Sequence, residues 1–148
     1  MSGRILHPTD FSSASRPAFA RAVAEARQNR GALVLVHVLA PVIPIGAGGE
    51  GYISPSVYDQ MEKSARAWAG KQMDRLLAKA RTARVRARGM LVGGVAHEQI
   101  VRAARRQKAG VIIMGTHGRT GVARFFLGSV AARVAATAPC PVLTVRGR

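Results

Sequence analysis

The sequence has little of several features that would assign it to well-marked classes of protein. It contains a single cysteine, Cys140, so it cannot form an intrachain disulfide, and we expect a small, half-buried structural residue there. No apolar run approaches the roughly 20 residues of a membrane-spanning helix. The amino-terminal residues 1–8 contain neither a long apolar segment nor a small-residue cleavage site. These absences predict a cytoplasmic protein with no membrane partner.

Acidic residues are also scarce. Seven acids stand against 23 basic residues, a formal net charge of +16, and no acid follows Glu98. Such an excess indicates affinity for polyanions, either phosphate-bearing ligands or nucleic acid. However, 19 of the basic residues are arginines scattered along the sequence, which is typical of a solvated surface. Aromatic residues make up only 5% of the chain and offer few stacking platforms for single strands. A nucleic-acid-binding module therefore stays open as an alternative function.

What the sequence does contain is a regular alternation of strand and helix patterns. The patterns predict strands at 4–8, 32–38, 85–92, 111–114 and 141–146, and helices from Ser15 to the residue before Gly31 and at 56–80, 98–107 and 129–137. The apolar side of the long second helix is expected to hold Met61, Ala65, Trp68, Ala69, Met73, Leu76 and Leu77. Alternation of this kind predicts an α/β fold. We expect one domain, residues 1–148, with a doubly wound parallel sheet ordered 3-2-1-4-5 and helices on both faces.

The strand order also predicts where a ligand binds. In a doubly wound sheet the site lies at the carboxyl ends of the strands where the winding reverses, here between strands 1 and 4. These strands end at Pro8-Thr9-Asp10 and at Met114-Gly115. Beyond them, Gly115 and Gly118 allow backbone N–H groups to face a ligand, and Gly128-Ser129 begins a helix whose amino terminus favours an anion.

Charged side chains complete this expected site. Arg119 and Arg124 add positive charge near phosphates, and Asp10 is the natural acceptor for a ribose hydroxyl. The simpler interpretation is a glycine-rich turn followed by a serine N-cap, and spacing alone does not exclude it.

The remaining motifs point to no catalytic machinery. His7 and His37 lie on apolar strands and are expected to be core residues with both ring nitrogens hydrogen-bonded, whereas His117 either contacts phosphate or braces its turn. The G-x-G-x-x-G pattern at 46–51 opens no helix and is expected to be a loop. A Walker A lysine is missing between Gly128 and Ser129. No nucleophilic triad, carboxylate pair or metal-ligand set follows from the spacings.

Several motifs together resemble one family. Gly115-x-x-Gly118, nine further residues and then Gly128-Ser129 match the G-2x-G-9x-G-(S/T) signature of the ATP-binding universal stress proteins. The segments ILHPTDFS (5–12), LVHV (35–38), VIIMGTHGRTG (111–121) and APCPVLTVR (138–146) are also similar to that family. The resemblance covers essentially the whole chain. It implies a Rossmann-like fold of the adenine nucleotide alpha hydrolase-like type, an ATP site and a homodimer. Another adenine nucleotide in place of ATP stays open as an alternative.

The resemblance also implies roles for individual residues. The expected nucleotide-binding residues are Pro8, Thr9, Asp10, Val38, Met114, Gly115, His117, Gly118, Arg119, Gly128, Ser129 and Val130. Asp10 is the one carboxylate of this expected pocket, so any Mg²⁺ depends largely on the phosphates, and the protein alone offers no metal site. These expectations describe a nucleotide-dependent stress-response regulatory module. A slow ATPase or a self-phosphorylating protein remains the enzymatic alternative.

The last strand predicts how the chain assembles. Residues Pro141, Val142, Leu143, Thr144, Val145 and Arg146 should form an edge strand, which is too apolar to be left open. Antiparallel pairing of two copies about a two-fold axis satisfies both edges. The alternative is an edge covered by a loop of its own chain.

Overall fold

The computed structural model describes residues 3–41, 53–117 and 127–147. They form five strands and four α-helices in strict alternation after the first strand. The order is β1 (Arg4–Pro8), α1 (Arg16–Gln28), β2 (Ala32–Leu39), α2 (Pro55–Thr82), β3 (Arg86–Gly93), α3 (Ala96–Gln107), β4 (Ala109–Gly115), α4 (Ser129–Thr137) and β5 (Val142–Val145). A single 3₁₀ turn, Ser13–Ser15, precedes α1. The proposed glycine-rich loop at 46–51 lies outside the described residues.

The sheet has the predicted topology. All five strands are parallel and lie in the order β3-β2-β1-β4-β5. The continuous apolar run of β2 is buried along most of its length, as expected for a central strand covered on both faces. The α/β fold and strand order predicted from the sequence are therefore confirmed.

Alternate residues of the central strands pack into two separate hydrophobic cores, one on each face of the sheet. Val34 and Val36 pack with Leu6 and Ile112 against α3 and α4. Leu33 and Leu35 pack with Ile5 and Ile113 against α1 and α2. Because successive side chains of a strand point to opposite faces, one apolar run supplies both layers. The sheet is the rigid element on which the loops at its carboxyl edge are positioned.

The long helix α2 departs from the expectation. Its buried residues are Ala69, Met73 and Ala80, all in the second half of the helix. Met61 and Trp68, expected on the buried side, are 43% and 44% exposed, and Ala65 is exposed as well. The helical period was correct, but the helix packs on the sheet only from Ala69 onward.

Three helices end in a way that the sequence does not suggest. Arg30, Arg84 and Lys108 follow α1, α2 and α3 and have positive φ values of 51°, 60° and 50°. Gly31 was expected to end α1, but the left-handed residue of that turn is Arg30. None of the helices formed by the described residues is long and apolar enough to cross a membrane.

Candidate functional site

A cleft lies at the carboxyl edge of the sheet, where β1 and β4 are neighbours. The chain leaves these two strands in opposite directions across the sheet, and this leaves a crevice between them. The cleft has a volume of about 330 Å³, within the usual range for small-molecule sites. Its described lining residues are Pro8, Thr9, Asp10, Ser15, Val36, His37, Val38, Ala96, Ile100, Met114, Gly115, Thr116, His117, Gly128, Ser129, Val130 and Ala131.

The loop after β1 is fixed by its own side chains. The Asp10 carboxylate accepts a hydrogen bond from the Ser12 N–H through Oδ1 at 2.9 Å. The Thr9 hydroxyl accepts one from the Phe11 N–H at 3.0 Å. Both bonds reach two residues forward, a pattern that stabilises turns of Asp and Thr. Phe11 itself has a φ of 63°. The loop therefore presents Asp10 to the cleft from a defined backbone conformation.

His37 supports the same loop from β2. Its Nδ1–H donates to the Thr9 carbonyl oxygen at 2.8 Å, and its ring lies 4.5 Å from the Phe11 ring centroid. Phe11 in turn meets the edge of Trp68 at 5.7 Å. The expectation that His37 is a buried, hydrogen-bonded residue is correct, but sequence reasoning missed its place in the cleft wall. Its position near the carboxyl end of β2 was the available signal.

His7 lies on β1 next to the site without lining it. Its Nδ1–H donates to the Ile113 carbonyl at 2.8 Å, whereas its buried Nε2 has no hydrogen-bond partner among the described residues. The expectation that both nitrogens are hydrogen-bonded is wrong for Nε2. Burial lowers the pKa of His7 to about 4, although the Ile113 bond and the negative charge of Asp10 act to raise it. His7 is therefore neutral at pH 7 and contributes no positive charge beside Asp10.

The opposite wall of the cleft is the start of α4. Ser129, Val130 and Ala131 occupy its first turn, and the N-cap residue Gly128 provides no side-chain cap. The first N–H groups of a helix have no partner within it, so they and the helix dipole favour an anion. The cleft therefore holds a helix amino terminus, and Asp10 is the one carboxylate among its described lining residues.

Gly128 is required by contacts within the chain. Its N–H donates to the Thr116 carbonyl at 2.7 Å, and a Cβ at this position would lie 2.8 Å from the same oxygen. The described close contact of Gly128 is therefore with the backbone at Thr116. Any side chain at position 128 would therefore also shift the turn.

A histidine lies beside this turn, and one of its ring nitrogens has no hydrogen-bond partner among the described residues. His117 Nδ1 is 2.9 Å from the Thr116 hydroxyl, and its Nε2 is buried without a partner among the described residues. Both residues line the cleft. The Thr116 contact favours the bracing role that the sequence left open.

Ten of the twelve expected nucleotide-binding residues line this single cleft. The other two, Gly118 and Arg119, lie outside the described residues, as does Arg124. Sequence reasoning missed Ser15, Val36, His37, Ala96, Ile100, Thr116 and Ala131. Most of these are ordinary residues of the walls, and only the fold reveals them. That a nucleotide contacts these residues stays a prediction.

Comparison with known proteins gives a consistent picture. A model of the universal stress protein family matches residues 1–146. A universal stress protein of Thermus aquaticus is 36% identical over 142 residues, which cover 96% of this chain and 97% of that protein.

Solved structures agree with the fold. Protein MJ0577 of Methanocaldococcus jannaschii superposes with a TM-score of 0.85 at 26% identity, covering 100% of this chain and 98% of the other. An Arabidopsis thaliana family member solved with AMP bound has a TM-score of 0.68 at 20% identity, with 99% and 92% coverage. At that identity the likeness to the Arabidopsis protein shows the fold alone.

Proposed function

The chain belongs to the universal stress protein family, and we propose that it is an ATP-binding, homodimeric regulatory module that acts in the stress response through its bound nucleotide. One observation carries the proposal: the amino terminus of α4, which has no side-chain cap among the described residues, and the one carboxylate of the described lining face the same cleft at the switch point of the sheet. The first suits phosphate and the second suits a sugar hydroxyl. A relative of the same fold holds AMP, which agrees with this choice of ligand.

The adenine and ribose are assigned to the β2 side of the cleft. Val38, Ala96 and Ile100 give that wall an apolar surface for a purine ring. The backbone of Val38 is the expected polar contact of the base. Asp10 uses Oδ1 to accept the Ser12 N–H, and a carboxylate can accept about four hydrogen bonds. We assign the ribose hydroxyls to this carboxylate as further donors.

The phosphates are assigned to the start of α4. The backbone N–H groups of Ser129 and Val130, in the first turn, are the expected donors, with the Ser129 hydroxyl beside them. Gly118 and Arg119 belong to the proposed site on sequence grounds only. No lysine or arginine occurs among the described lining residues. In the described part of the cleft, the attraction for phosphate therefore comes mainly from the backbone N–H groups and the dipole of α4. A Mg²⁺ ion is expected to be held by the phosphates and water.

A regulatory module is favoured over an efficient enzyme by the chemistry of the cleft. Phosphoryl transfer needs groups that hold the metal and orient the attacking nucleophile. Asp10 is the single carboxylate in the described lining, and the proposal assigns it to the ribose. Slow hydrolysis of ATP or self-phosphorylation therefore remains the second candidate, with a rate far below that of dedicated kinases.

The proposed dimer uses the outer edge of β5, the last strand of the sheet. The Ile112 N–H donates to the Pro141 carbonyl and the Thr116 N–H to the Val145 carbonyl, so β4 occupies one edge of this strand. The other edge ends the sheet, and Leu143 is 38% exposed there. Antiparallel pairing of two such edges would extend the sheet across a two-fold axis through residues 141–146.

Two measurements test the nucleotide proposal. The purified protein is denatured and any released small molecule is identified by mass spectrometry. Nucleotide-free protein is then titrated with ATP, ADP, AMP and cyclic AMP in a calorimeter. We expect adenine nucleotides to bind with a 1:1 ratio per chain, and ATP to bind most tightly. The absence of heat with every nucleotide at millimolar concentration would contradict the assignment.

A further inference from the structure

The turns that lead from helices into strands carry an unusual set of residues. Arg30, Arg84 and Lys108 each occupy the left-handed region at the end of a helix. Glycine is the common residue in this position because a Cβ is unfavourable there. Three long cationic side chains therefore occupy positions whose backbone conformation disfavours a Cβ. The backbone conformation of these turns therefore does not account for the cationic side chains.

The sheet places the three turns at one end of the molecule. Arg4 pairs with Ala32 and with Ala109, and Ala32 pairs with Arg86, so the first residues of four strands lie in one row. That row is the amino edge of the sheet, opposite the cleft. Three interstrand steps separate β3 from β4, a span of roughly 14 Å. Residues that are far apart in sequence thus meet on one surface.

This surface, which we call the basic end, is strongly cationic. Its core consists of six exposed residues: Arg81, Arg84, Arg86, Arg105, Arg106 and Lys108. None of the six forms an ion pair within the described part of the chain. The last turns of α2 and α3 contain no acid. Glu25 near the end of α1 already binds Arg21 and Asn29.

Helix dipoles explain only part of this arrangement. Cations in the last turn of a helix are stabilised by its negative end, which accounts for residues such as Arg81 and Arg105. The same effect gives no reason for Arg86, which lies on the edge strand β3. Between α2 and β3, a groove of about 400 Å³ is lined by Leu77, Arg81, Arg84, Val85, Arg86 and Ala87. Three guanidinium groups thus border one concave surface.

We propose that the basic end binds the phosphodiester backbone of duplex nucleic acid without reading its sequence. The roughly 14 Å from β3 to β4 corresponds to about four base-pair rises of 3.4 Å, so cations at the two sides can contact phosphates about four base pairs apart on one duplex. Single strands are bound largely by aromatic stacking, and the described part of the basic end has no aromatic residue. This site is separate from the nucleotide cleft and does not depend on it.

A membrane surface fits the basic end less well. Peripheral membrane binding combines cations with apolar side chains that insert among the lipids. The exposed large apolar residues of the described chain are Val57, Met61, Trp68, Val95, Leu127, Val130 and Leu143, and none belongs to the basic end. Charge without exposed large apolar side chains beside it matches a phosphate backbone.

Fluorescence anisotropy with a labelled 20-base-pair DNA duplex tests the proposal. The variant Arg81→Gln/Arg84→Gln/Arg86→Gln removes the groove cations. The control Lys63→Gln/Arg66→Gln/Lys71→Gln removes the same charge from exposed positions of α2 nearer its amino terminus. We expect the groove variant to bind about tenfold or more weakly at 100 mM salt, with a salt slope lower by about 2 to 3. The control should stay within about threefold of wild type.

Further arms of the experiment distinguish the other occupants. A duplex RNA of the same length should bind with similar affinity, and saturating ATP should not displace either duplex. The single variant Arg84→Gly suits the positive φ and should weaken binding while the thermal midpoint is retained. Equal losses in the groove and control variants would overturn the proposal, as would sequence preference, tighter binding to single strands, or tighter binding to phosphatidylserine vesicles.

Discussion

The buried imidazole of His7 should make the free energy of unfolding fall as the pH is lowered. The ring is fully buried, it donates from Nδ1 to the Ile113 carbonyl, and Nε2 has no partner among the described residues. The Phe19 ring lies 5.8 Å away, centroid to centroid. Protonation would place a second N–H and a positive charge in this apolar setting. This is why burial lowers the pKa of His7 from 6.5 to about 4.

The pKa difference sets the size and direction of the effect. Below pH 6.5 the unfolded chain binds a proton at His7, whereas the folded chain does so only near pH 4. The unfolded state therefore holds more protons in this window, and the free energy of unfolding falls as the pH falls. Between pH 7 and pH 5 the contribution of His7 should drop by about 2 kcal/mol, and by about 3 kcal/mol at pH 4.

Urea denaturation of wild type and His7→Asn at pH 7, 6 and 5 measures this contribution. Asparagine can still donate to the Ile113 carbonyl from near the position of Nδ1, but it does not titrate. We expect the variant to be less stable at pH 7 and its stability to fall less steeply with acid. The difference between the two proteins should narrow by about 2 kcal/mol. His97→Asn, at the start of α3, is the control. Parallel pH profiles for wild type and His7→Asn would refute the account.

The remaining predictions concern the turn, the cleft and the edge. Gly128→Ala should lower the free energy of unfolding by about 1–3 kcal/mol, because the new Cβ would contact the Thr116 carbonyl oxygen. Gly70 lies within α2 with no atom near the position of a Cβ, so Gly70→Ala should raise the free energy of unfolding by about 0.5–1 kcal/mol. Urea denaturation curves measure both changes. Asp10→Ala should weaken ATP binding by about 1–3 kcal/mol in calorimetry, and inorganic triphosphate less. Equal losses would mean that Asp10 does not bind the ribose. Thr144→Pro should remove a backbone donor from the outer edge of β5, because residues 141, 143 and 145 direct their backbone groups at β4, and shift the protein from dimer to monomer in light scattering. A wild-type protein that is already monomeric at micromolar concentration would reject the interface.

The fold was accessible from sequence because its signals are local and repeated. The unbroken apolar run of β2 and the helical period of α3 each identify their own element, and alternation then limits the topology. Element boundaries depend on the caps as well as on the period. The helix α3 begins at Ala96, two residues before the expected Glu98, because Val95 provides the cap without a polar side chain.

Features that depend on distant contacts could not be predicted in this way. The period of α2 gives an apolar side, but only the position of β3 decides that burial starts at Ala69 and leaves Met61 and Trp68 exposed. The role of His37 as a donor to the Thr9 carbonyl requires the register of β1 against β2. Similarly, the hydrogen bond from the Gly128 N–H to the Thr116 carbonyl joins residues twelve positions apart in the sequence, and no local pattern predicts it.

The two edges of the sheet offer different groups to an anion: backbone N–H groups at the carboxyl edge and side-chain cations at the amino edge. At the carboxyl edge, the described cleft has no lysine or arginine, and the start of α4 offers backbone N–H groups to a compact phosphate group. At the amino edge, helix dipoles present their negative ends, so an anion can bind there only if side-chain cations outweigh them. The groove arginines 81, 84 and 86 supply that excess. A site built from flexible, exposed cations depends strongly on salt, whereas one built from fixed backbone dipoles in a cleft depends on it less. The two proposed ligands should therefore be separable by ionic strength alone, with duplex binding lost first.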